Sequence, residues 1–361
     1  MFLPSRISNS TSASPTSVAK IIGDYQVSLT EISDKNVLLN PSVQQYCDYT
    51  SALKLVNIPA SSVNIKTTFA KPEIWECVHT FTRNSQAVAF SPDGKILATG
   101  STFIKLVNLE TGLLIRTLKR DSGILKTLAF SPDGKTLISS GLSQRIEMWD
   151  VLTGKLVSEF VTHAYAVNAL AFGKDGKNFV SGDRGKTIQF WNADDTQATA
   201  TFVQHHDWVN SLAISPNGAI VASGSYDETI KLWNMHTKTQ IATINAHSPV
   251  FSVAFSLDEK LFICGCADGK IKLWNWQTAE FLGVIVGHAD EVNSVAVNRE
   301  GTIIASASAD KTVRLWNSQT GEEIATLAGH ISNVKYLTFS PDGNMLASAS
   351  AEGNVKVWRR G

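Results

Sequence analysis

The sequence predicts an all-β fold of repeated small sheets, and three observations lead to this prediction. Tryptophans recur in steps of 42, 42, 41, 42 and 42 residues, at Trp149, Trp191, Trp233, Trp274, Trp316 and Trp358. An Asp-Gly or Asn-Gly pair keeps nearly the same spacing, as in "SPDG" at 131–134 and "SPNG" at 215–218. Short runs of Val, Ile, Leu, Thr and Ala fill the intervals without a helical period. Each interval therefore encodes one antiparallel sheet of four short strands.

The last repeat shows how each sheet is built. Residues 334–340 and 345–350 are apolar strand segments. The Asp-Gly pair at 342–343 reverses the chain between them, because glycine adopts positive φ at little steric cost. A second tight turn leads to the strand at 354–358, and a fourth strand follows each tryptophan, as at 322–329.

Seven such units account for residues 73–361. A step of 42 residues back from Trp149 reaches Val107, which lies in a degenerate seventh copy, "IKLVN". Strands such as "IIASAS" are apolar on both faces, so neighbouring sheets must cover both. Radial stacking around an axis does so, which predicts a seven-bladed β-propeller of four-stranded antiparallel sheets. Residues 1–72 carry no repeat mark and are predicted to be an N-terminal extension, disordered in the Ser/Thr-rich stretch 6–17.

The repeat resembles the WD40 repeat. Its marks are Gly-His, then "SPDG", then Ser, Asp and a Trp-Asp pair, although Asn replaces the last letter in most copies, as in "LWN". The resemblance covers about residues 73–361 and implies a ring that an N-terminal strand closes. Only "RRG" follows Trp358, so the last blade needs a fourth strand from elsewhere. Residues 73–81 are expected to supply it by pairing with residues 354–358, which would remove two open sheet edges.

A Ser, a His and an Asp recur with the tryptophans, and this combination raises the question of a hydrolase. The fourth repeat has His205, Ser223, Asp227 and Trp233, and the sixth repeat has the same set. An enzyme needs one such site rather than several at regular intervals. The resemblance implies that the four side chains form a hydrogen-bond chain inside each blade, so we expect a structural role.

Other repeats depart from this set, and the departures predict that stability rises from the N-terminal blades toward repeats four and six. The first repeat has none of the set beyond Thr99. The second has Asp121 where the histidine would be and Ser143 where the acid would be, and the third has Gly185 at the acid position. The fifth has Cys264 in place of serine beside His247 and Asp268, and the seventh has Glu352 in place of aspartate.

Composition argues against several classes of function. The chain has 32 basic and 32 acidic residues, which gives no electrostatic preference for nucleic acid or for an anionic membrane. No apolar run is long enough to span a bilayer, and the N-terminus does not have the pattern of a secretory signal. Cys264 and Cys266 have no second cysteine pair to complete a metal site, and no phosphate-binding glycine loop appears. We therefore expect free thiols, a cytoplasmic location, and neither a metal nor a cofactor.

The rims of the ring remain as the surface for function. The resemblance implies that partners dock on the rim formed by the loops before the first strand and after the second strand of each blade. Trp208, Tyr226 and Phe251, from neighbouring repeats, fall there, and exposed aromatic side chains are typical anchors for a partner. Trp208 could instead pack on its own loop. The other candidates occupy the position of Phe251 in further repeats: Asn168, Asn210, Asn293 and Lys335.

These observations favour a non-catalytic scaffold that binds a protein or peptide on a propeller rim, as one monomeric propeller within a complex. Two alternatives stay open. One is an RNA- or ribosome-associated propeller, against which the neutral net charge argues. The other is an enzyme that uses the central channel, for which no catalytic set of residues is evident.

Overall fold

The computed structural model describes residues 74–82, 85–120, 123–161 and 163–361, together with the backbone of three strands nearer the N-terminus. The chain divides into two compact units, Met1–Pro72 and Glu73–Gly361.

The first unit contains a three-stranded antiparallel sheet, which the sequence did not predict. Its strands are Ser17–Ile22 (β1), Tyr25–Ile32 (β2) and Asn36–Leu38 (β3), in the order β1-β2-β3. The stretch predicted to be disordered lies outside the described residues, apart from Ser17. These strands escaped prediction because they carry no tryptophan and no Asp-Gly turn to mark them.

From Trp75 onward the described residues form seven four-stranded antiparallel sheets, which confirms the predicted propeller. The chain enters with Trp75–Phe81 (β4). Blade 1 comprises Ala87–Phe90 (β5), Ile96–Gly100 (β6), Ile104–Asn108 (β7) and Leu114–Leu118 (β8). Blade 2 comprises Leu125–Phe130 (β9), Thr136–Gly141 (β10), Arg145–Asp150 (β11) and Leu156–Val161 (β12). Blade 3 comprises Val167–Phe172 (β13), Asn178–Asp183 (β14), Thr187–Asn192 (β15) and Ala198–Val203 (β16).

The remaining blades repeat this order. Blade 4 comprises Val209–Ile214 (β17), Ile220–Ser225 (β18), Thr229–Asn234 (β19) and Gln240–Asn245 (β20). Blade 5 comprises Val250–Phe255 (β21), Leu261–Cys266 (β22), Lys270–Asn275 (β23) and Glu280–Val286 (β24). Blade 6 comprises Val292–Val297 (β25), Ile303–Ser308 (β26), Val313–Asn317 (β27) and Glu323–Leu327 (β28). Blade 7 comprises Val334–Phe339 (β29), Met345–Ser350 (β30) and Val355–Arg360 (β31), with β4 as its fourth strand.

The first strands of the seven blades form the inner ring around the channel. Each first strand contacts the first strand of the next blade, and β29 contacts β5, so the ring is closed. Because strands alternate in direction within a blade, the loop before the first strand and the turn after the second lie on one rim. We call this the docking rim. The "SPDG" turns lie on the opposite rim.

The "SPNG" turn of blade 4 shows why these letters recur. Ser215 Oγ lies 2.8 Å from Asn217 Oδ1 and accepts a hydrogen bond from the Ile220 amide at 2.9 Å. Asn217 Oδ1 also accepts from the Ala219 amide at 2.9 Å, and Gly218 has a φ of 77°. Short polar side chains thus satisfy the turn's amides, and glycine takes the left-handed position that reverses the chain.

The core lies between blades, as expected for strands that are apolar on both faces. One cluster joins Ile303 and Leu315 of blade 6 to Val334 and Leu346 of blade 7. All six residues of β26 are buried, because the sheets on both sides cover it. Each blade therefore depends on its neighbours for stability, and an open end would expose a full apolar face.

The strand β4 closes the ring as predicted. It pairs antiparallel with β31, with Phe81 opposite Val355 and Trp75 opposite Arg360. The Trp75 ring is 8% exposed and lies 6.1 Å, between centroids, from Phe339 in an edge-on arrangement. The first ordered strand of the propeller unit is therefore part of its last blade.

Candidate functional site

The polar set of blades 4 and 6 forms the expected hydrogen-bond chain. In blade 4, His205 Nδ1 lies 2.8 Å from Asp227 Oδ2, and His205 Nε2 lies 2.8 Å from Ser223 Oγ. Trp233 Nε1 donates to the same Ser223 oxygen at 2.9 Å. Since an ionised carboxylate only accepts, His205 carries its proton on Nδ1, and its Nε2 accepts from the serine hydroxyl.

Burial assigns this chain of hydrogen bonds to structure rather than to catalysis. Ser223 and its blade 6 counterpart Ser306 are 0% exposed, so no substrate can reach either hydroxyl. Each serine also accepts a hydrogen bond from an indole, at 2.9 Å in blade 4 and at 2.7 Å in blade 6. The resemblance to a hydrolase triad therefore ends at the atom types, as predicted.

Blade 7 keeps the chain with a longer acid. His330 Nδ1 lies 3.1 Å from Glu352 Oε1 and its Nε2 lies 2.8 Å from Ser348 Oγ. Trp358 Nε1 donates to Ser348 Oγ at 2.9 Å. Glutamate therefore substitutes for aspartate at this position.

The expectation that blade 3 lacks an acid, because Gly185 occupies the acid position, is wrong. Asp183, two residues earlier at the end of β14, places Oδ2 at 2.9 Å from His163 Nδ1. Its other oxygen accepts from the Thr187 amide at 2.8 Å. The carboxylate reaches the histidine from the strand end instead of from the turn, so blade 3 has a complete chain with Ser181 and Trp191.

Replacing Asp183 with alanine is expected to lower the free energy of unfolding by about 1–3 kcal/mol, because it removes a buried acceptor. The matched control is Asp194→Ala, which removes an exposed carboxylate from the same blade and should change stability little. Urea unfolding of both variants measures the difference. Equal stability of the two variants would contradict the assignment of Asp183 as the acid of the blade 3 chain.

In blades 2 and 5 no histidine takes part among the described residues, and a charged residue from the third strand interacts in its place. In blade 2, Glu147 pairs with Arg120, and both side chains are buried. Glu147 Oε2 also accepts from Ser139 Oγ at 3.0 Å, and Ser139 Oγ accepts from Trp149 Nε1 at 3.0 Å. Ser143, predicted at the acid position, is not part of this chain, and its Oγ has no partner among the described residues. Asp121 lies outside the described residues.

In blade 5 the expected histidine turns away. His247 has a φ of 53° and an exposed side chain, so it does not meet Asp268. Lys272 instead places Nζ at 3.1 Å from Asp268 Oδ2 and donates to the Ala246 carbonyl at 2.5 Å. Blade 5, with Cys264 in place of serine, therefore does not form the histidine chain seen in blades 4 and 6.

The pair Cys264 and Cys266 lies in the core. The two sulfurs are 3.3 Å apart on one face of β22, and both residues are 0% exposed. Burial raises the pKa of the Cys264 thiol well above its usual value. Among the described residues, no group of three or more Cys, His, Asp or Glu side chains is placed to hold a metal ion.

The histidine chains make stability depend on pH. Burial opposes ionisation of Asp310, but hydrogen bonds from Thr312 and His288 outweigh it and lower the pKa of Asp310 to about 2. Burial lowers the pKa of His288 against the raising effect of Asp310. Both folded-state pKa values lie below the unfolded ones, so unfolding takes up protons as pH falls.

Thermal stability is therefore expected to be constant above about pH 7 and to fall steadily between about pH 6 and 2. The histidine contribution is lost as pH falls from about 6.5, and the Asp310 contribution as pH falls from about 4. Circular dichroism melts over this range measure it, with Asp310→Asn expected to flatten the acid end. A melting temperature that rises between pH 7 and 5 would contradict this account.

The three predicted aromatic residues form one continuous surface on the docking rim. The ring centroids of Trp208 and Tyr226 lie 6.0 Å apart, and those of Tyr226 and Phe251 lie 5.9 Å apart. Trp208 is 42% exposed and Tyr226 is 43% exposed, while Phe251 is half-buried. Trp208 therefore contacts its neighbours and still presents a large part of its indole to solvent.

Arg184 extends this aromatic surface and was missed from the sequence. Its guanidinium carbon lies 4.6 Å from the centroid of the Trp208 ring, in a cation–π contact. It occupies the same turn position as Tyr226, one blade earlier. The sequence does carry a signal for Arg184, because it directly precedes Gly185, the acid position of blade 3, just as Tyr226 precedes Asp227.

The three predicted asparagines hold adjacent blades together. Each side-chain amide donates to the carbonyl at the start of the next blade's first strand: Asn168 to Val209 at 3.2 Å, Asn210 to Val250 at 3.0 Å and Asn293 to Val334 at 3.1 Å. Lys335 in turn lies with Nζ 3.4 Å from Asn293 Oδ1. All four line the channel mouth, but the amide donors are engaged inside the protein. Their role as partner contacts stays a prediction.

Charge at the channel mouth is positive. Lys126 occupies the position of Lys335 in blade 2 and is half-buried. Burial lowers the pKa of Lys126, and the positive charges of Arg184 and Lys335 lower it further. The mouth thus concentrates three cations in a chain whose overall charge is zero.

In the described part of the chain, no helix has the length and apolar character needed to cross a membrane.

Comparison with known proteins agrees with the repeat architecture. The family model "WD domain, G-beta repeat" matches residues 75–102, 279–317 and 321–359, and the model "IFT122 first beta-propeller" matches residues 124–285. The chain is 28% identical over 88 residues to the COMPASS component SWD3 of Saccharomyces cerevisiae, which covers 24% of this chain and 28% of that protein. It is 34% identical over 65 residues to WD repeat-containing protein 36 of Homo sapiens, which covers 18% of this chain and 7% of that protein.

These two matches therefore span less than a third of either relative. The family models, in contrast, match segments throughout the ring, from the closing strand to the last blade. Together with the repeated tryptophans, the hydrogen-bond chains and the closed ring of seven blades, they show that this chain belongs to the WD40 repeat family, as a seven-bladed WD40 β-propeller protein.

Proposed function

We propose that this chain is a non-catalytic scaffold that binds a protein or peptide segment on its docking rim. The observation that carries the proposal is the continuous aromatic surface of Trp208, Tyr226 and Phe251, extended by Arg184. Aromatic and arginine side chains dominate the binding energy of protein interfaces. Here they lie together and partly exposed on one side of a rigid ring, which suits them to anchor a partner.

The rim is uneven, which supports a single docking arc. The turn positions before the acid carry Arg184 and Tyr226 in blades 3 and 4, but alanine in blades 5, 6 and 7, at Ala267, Ala309 and Ala351. From blade 3 to blade 7, the large side chains at this turn position are therefore confined to blades 3 and 4. A partner bound over blades 3 to 5 would contact both of them together with Phe251.

The relatives give further support for a scaffold. The yeast relative is named as a component of an assembly, COMPASS. The hydrogen-bonded serines are inaccessible to a substrate, so the Ser-His-Asp arrangements that suggested an enzyme have a structural explanation. We also propose a cytoplasmic location, which the free thiols of Cys77, Cys264 and Cys266 support.

Affinity purification followed by mass spectrometry tests the proposal, with wild type beside Trp208→Ala/Tyr226→Ala. We expect the double variant to lose its specific partner by more than about tenfold, because removing two anchors costs about 2 kcal/mol or more. Its melting temperature should barely change, since both side chains are more than 40% exposed.

The matched control is Leu152→Ala/Leu257→Ala, which truncates two exposed apolar residues on the opposite rim. This control should keep the partner. Equal capture by wild type and both variants would remove the docking rim as the binding surface. Loss of the partner only in the control would move the site to the opposite rim.

A further inference from the structure

The channel mouth on the docking rim contains three cations that pair with no acidic side chain among the described residues. Lys126 and Lys335 lie on the first strands of blades 2 and 7, and Arg184 lies on the second turn of blade 3. All three are half-buried. Within the part of the chain that the structure describes, no carboxylate forms an ion pair with any of them.

Neutral side chains hold two of these cations in place. Arg184 Nε donates to Asn168 Oδ1 at 3.3 Å, and Lys335 Nζ lies 3.4 Å from Asn293 Oδ1. These asparagines are themselves fixed by the next blade's backbone. The positive charges are therefore held at the mouth of a narrow channel, where low-dielectric walls concentrate their field. An anion that enters the mouth would meet cations that are already positioned.

Several acidic residues of the docking rim form hydrogen bonds within their own blades. Asp227 and Asp310 accept hydrogen bonds from the histidines of their own blades. Asp207 Oδ1 accepts from the Trp208 amide at 2.7 Å. These three carboxylates thus fix their own loops, and none of them forms an ion pair with Lys126, Arg184 or Lys335.

Arg184 connects the cations to the aromatic surface. One face of the Arg184 guanidinium contacts Trp208, and its Nε donates to Asn168, the second residue of β13. A segment that packs on Trp208 therefore extends directly to the three cations. The two features form one site with an apolar part and a positive part.

We propose that the segment bound on the docking rim is an acidic peptide, with an apolar residue on Trp208 and Tyr226 and a neighbouring carboxylate between Lys126, Arg184 and Lys335. This inference rests on the proposed function and names the chemistry of its partner. The carboxylate would accept charge-assisted hydrogen bonds from the three cations, and these are stronger than neutral ones.

Selection from a random peptide library displayed on phage tests the inference, with the full chain immobilised. Wild type should enrich peptides with Asp or Glu next to an apolar residue. The best enriched peptide, fluorescently labelled, should bind Lys126→Gln/Lys335→Gln about tenfold more weakly than wild type. The charge-matched control Lys95→Gln/Lys135→Gln, on the opposite rim, should bind as wild type does.

A second measurement does not depend on the folding of any variant. The same peptide with its acids replaced by Gln and Asn should bind wild type about tenfold more weakly, and added salt should weaken only the acidic form. The inference would be overturned if the selected peptides had no excess of acidic residues, or if acidic peptides bound the lysine double variant as tightly as wild type. Either result would leave the docking rim as the binding surface.

Two further outcomes separate this inference from the proposed function. If wild type selects no peptide whose binding needs Trp208 and Tyr226, the proposed function fails and the inference fails with it. If the lysine variant loses salt-dependent binding of an oligouridine while no acid peptide is selected, the cations serve a nucleic acid and the inference is overturned.

Discussion

Removal of residues 1–81 is expected to unfold the propeller, whereas removal of residues 1–65 should leave the ring closed. The first truncation deletes β4, which supplies the outer strand of blade 7. It exposes the edge of β31 and takes Trp75 out of a cluster that includes Trp358. The loss should reach about 5 kcal/mol or more, since each large apolar side chain contributes roughly 1.5–3 kcal/mol on burial. The total free energy of unfolding of many domains is only of this order.

The comparison of the two truncations isolates the closing strand, because both lack the first 65 residues. Point variants of Trp75 give a finer control. Trp75→Ala should destabilise by about 3–5 kcal/mol, whereas Trp75→Phe should cost little. The indole Nε1 has no hydrogen-bond partner among the described residues, so phenylalanine removes no observed bond. Equal melting temperatures for the two truncations would contradict closure by β4.

Replacing Glu147 with methionine is expected to destabilise the protein by about 3–5 kcal/mol. The substitution removes the carboxylate from a buried ion pair and leaves the Arg120 charge in a site where water does not compensate it. It also removes the acceptor of the Ser139 hydroxyl. Blade 2 does not form the histidine chain, and this substitution would also remove the arrangement that replaces it.

The double variant Arg120→Met/Glu147→Met provides the control for this prediction. Removing both charges eliminates the cost of an unpaired ion, so the double variant should be more stable than Glu147→Met alone. Urea unfolding of wild type, the single variant and the double variant measures the coupling. A double variant that is less stable than the single one would show that the ion pair is not the source of the effect.

The ring itself could be predicted because its signals are periodic. Tryptophans every 42 or 41 residues and a turn in each repeat specify seven equivalent sheets, and the strand pattern of residues 73–81 indicates how they close. The proximity of Tyr226 and Phe251 followed from the same periodicity, since the second turn of one blade and the first strand of the next are neighbours on a rim. Repeats thus convert distance along the chain into distance in space.

The hydrogen-bond chains were less predictable where a side chain reaches from another position. Asp183 replaces an acid two residues away, and Glu147 replaces a histidine from a different strand. A comparison of equivalent positions between repeats misses both, because it does not consider how far a side chain reaches. His247 shows the converse, since it occupies the expected position but its exposed side chain does not join a hydrogen-bond chain.

Arg184 illustrates how such a misreading affects the candidate site. Gly185 holds the acid position of blade 3, and the turn residue before it was not among the predicted site residues, so the cation next to Trp208 was missed. Its contacts join the aromatic and positive parts of the rim. The candidate site therefore combines an aromatic anchor with a positive charge.

Site-specific photo-crosslinking tests the docking rim most directly. p-Benzoylphenylalanine at position 226 keeps an aromatic ring in place of Tyr226, and the same residue at position 257 replaces an exposed leucine on the opposite rim. Our account predicts that the captured partner crosslinks at position 226 and not at position 257. Crosslinking at position 257 alone would contradict it.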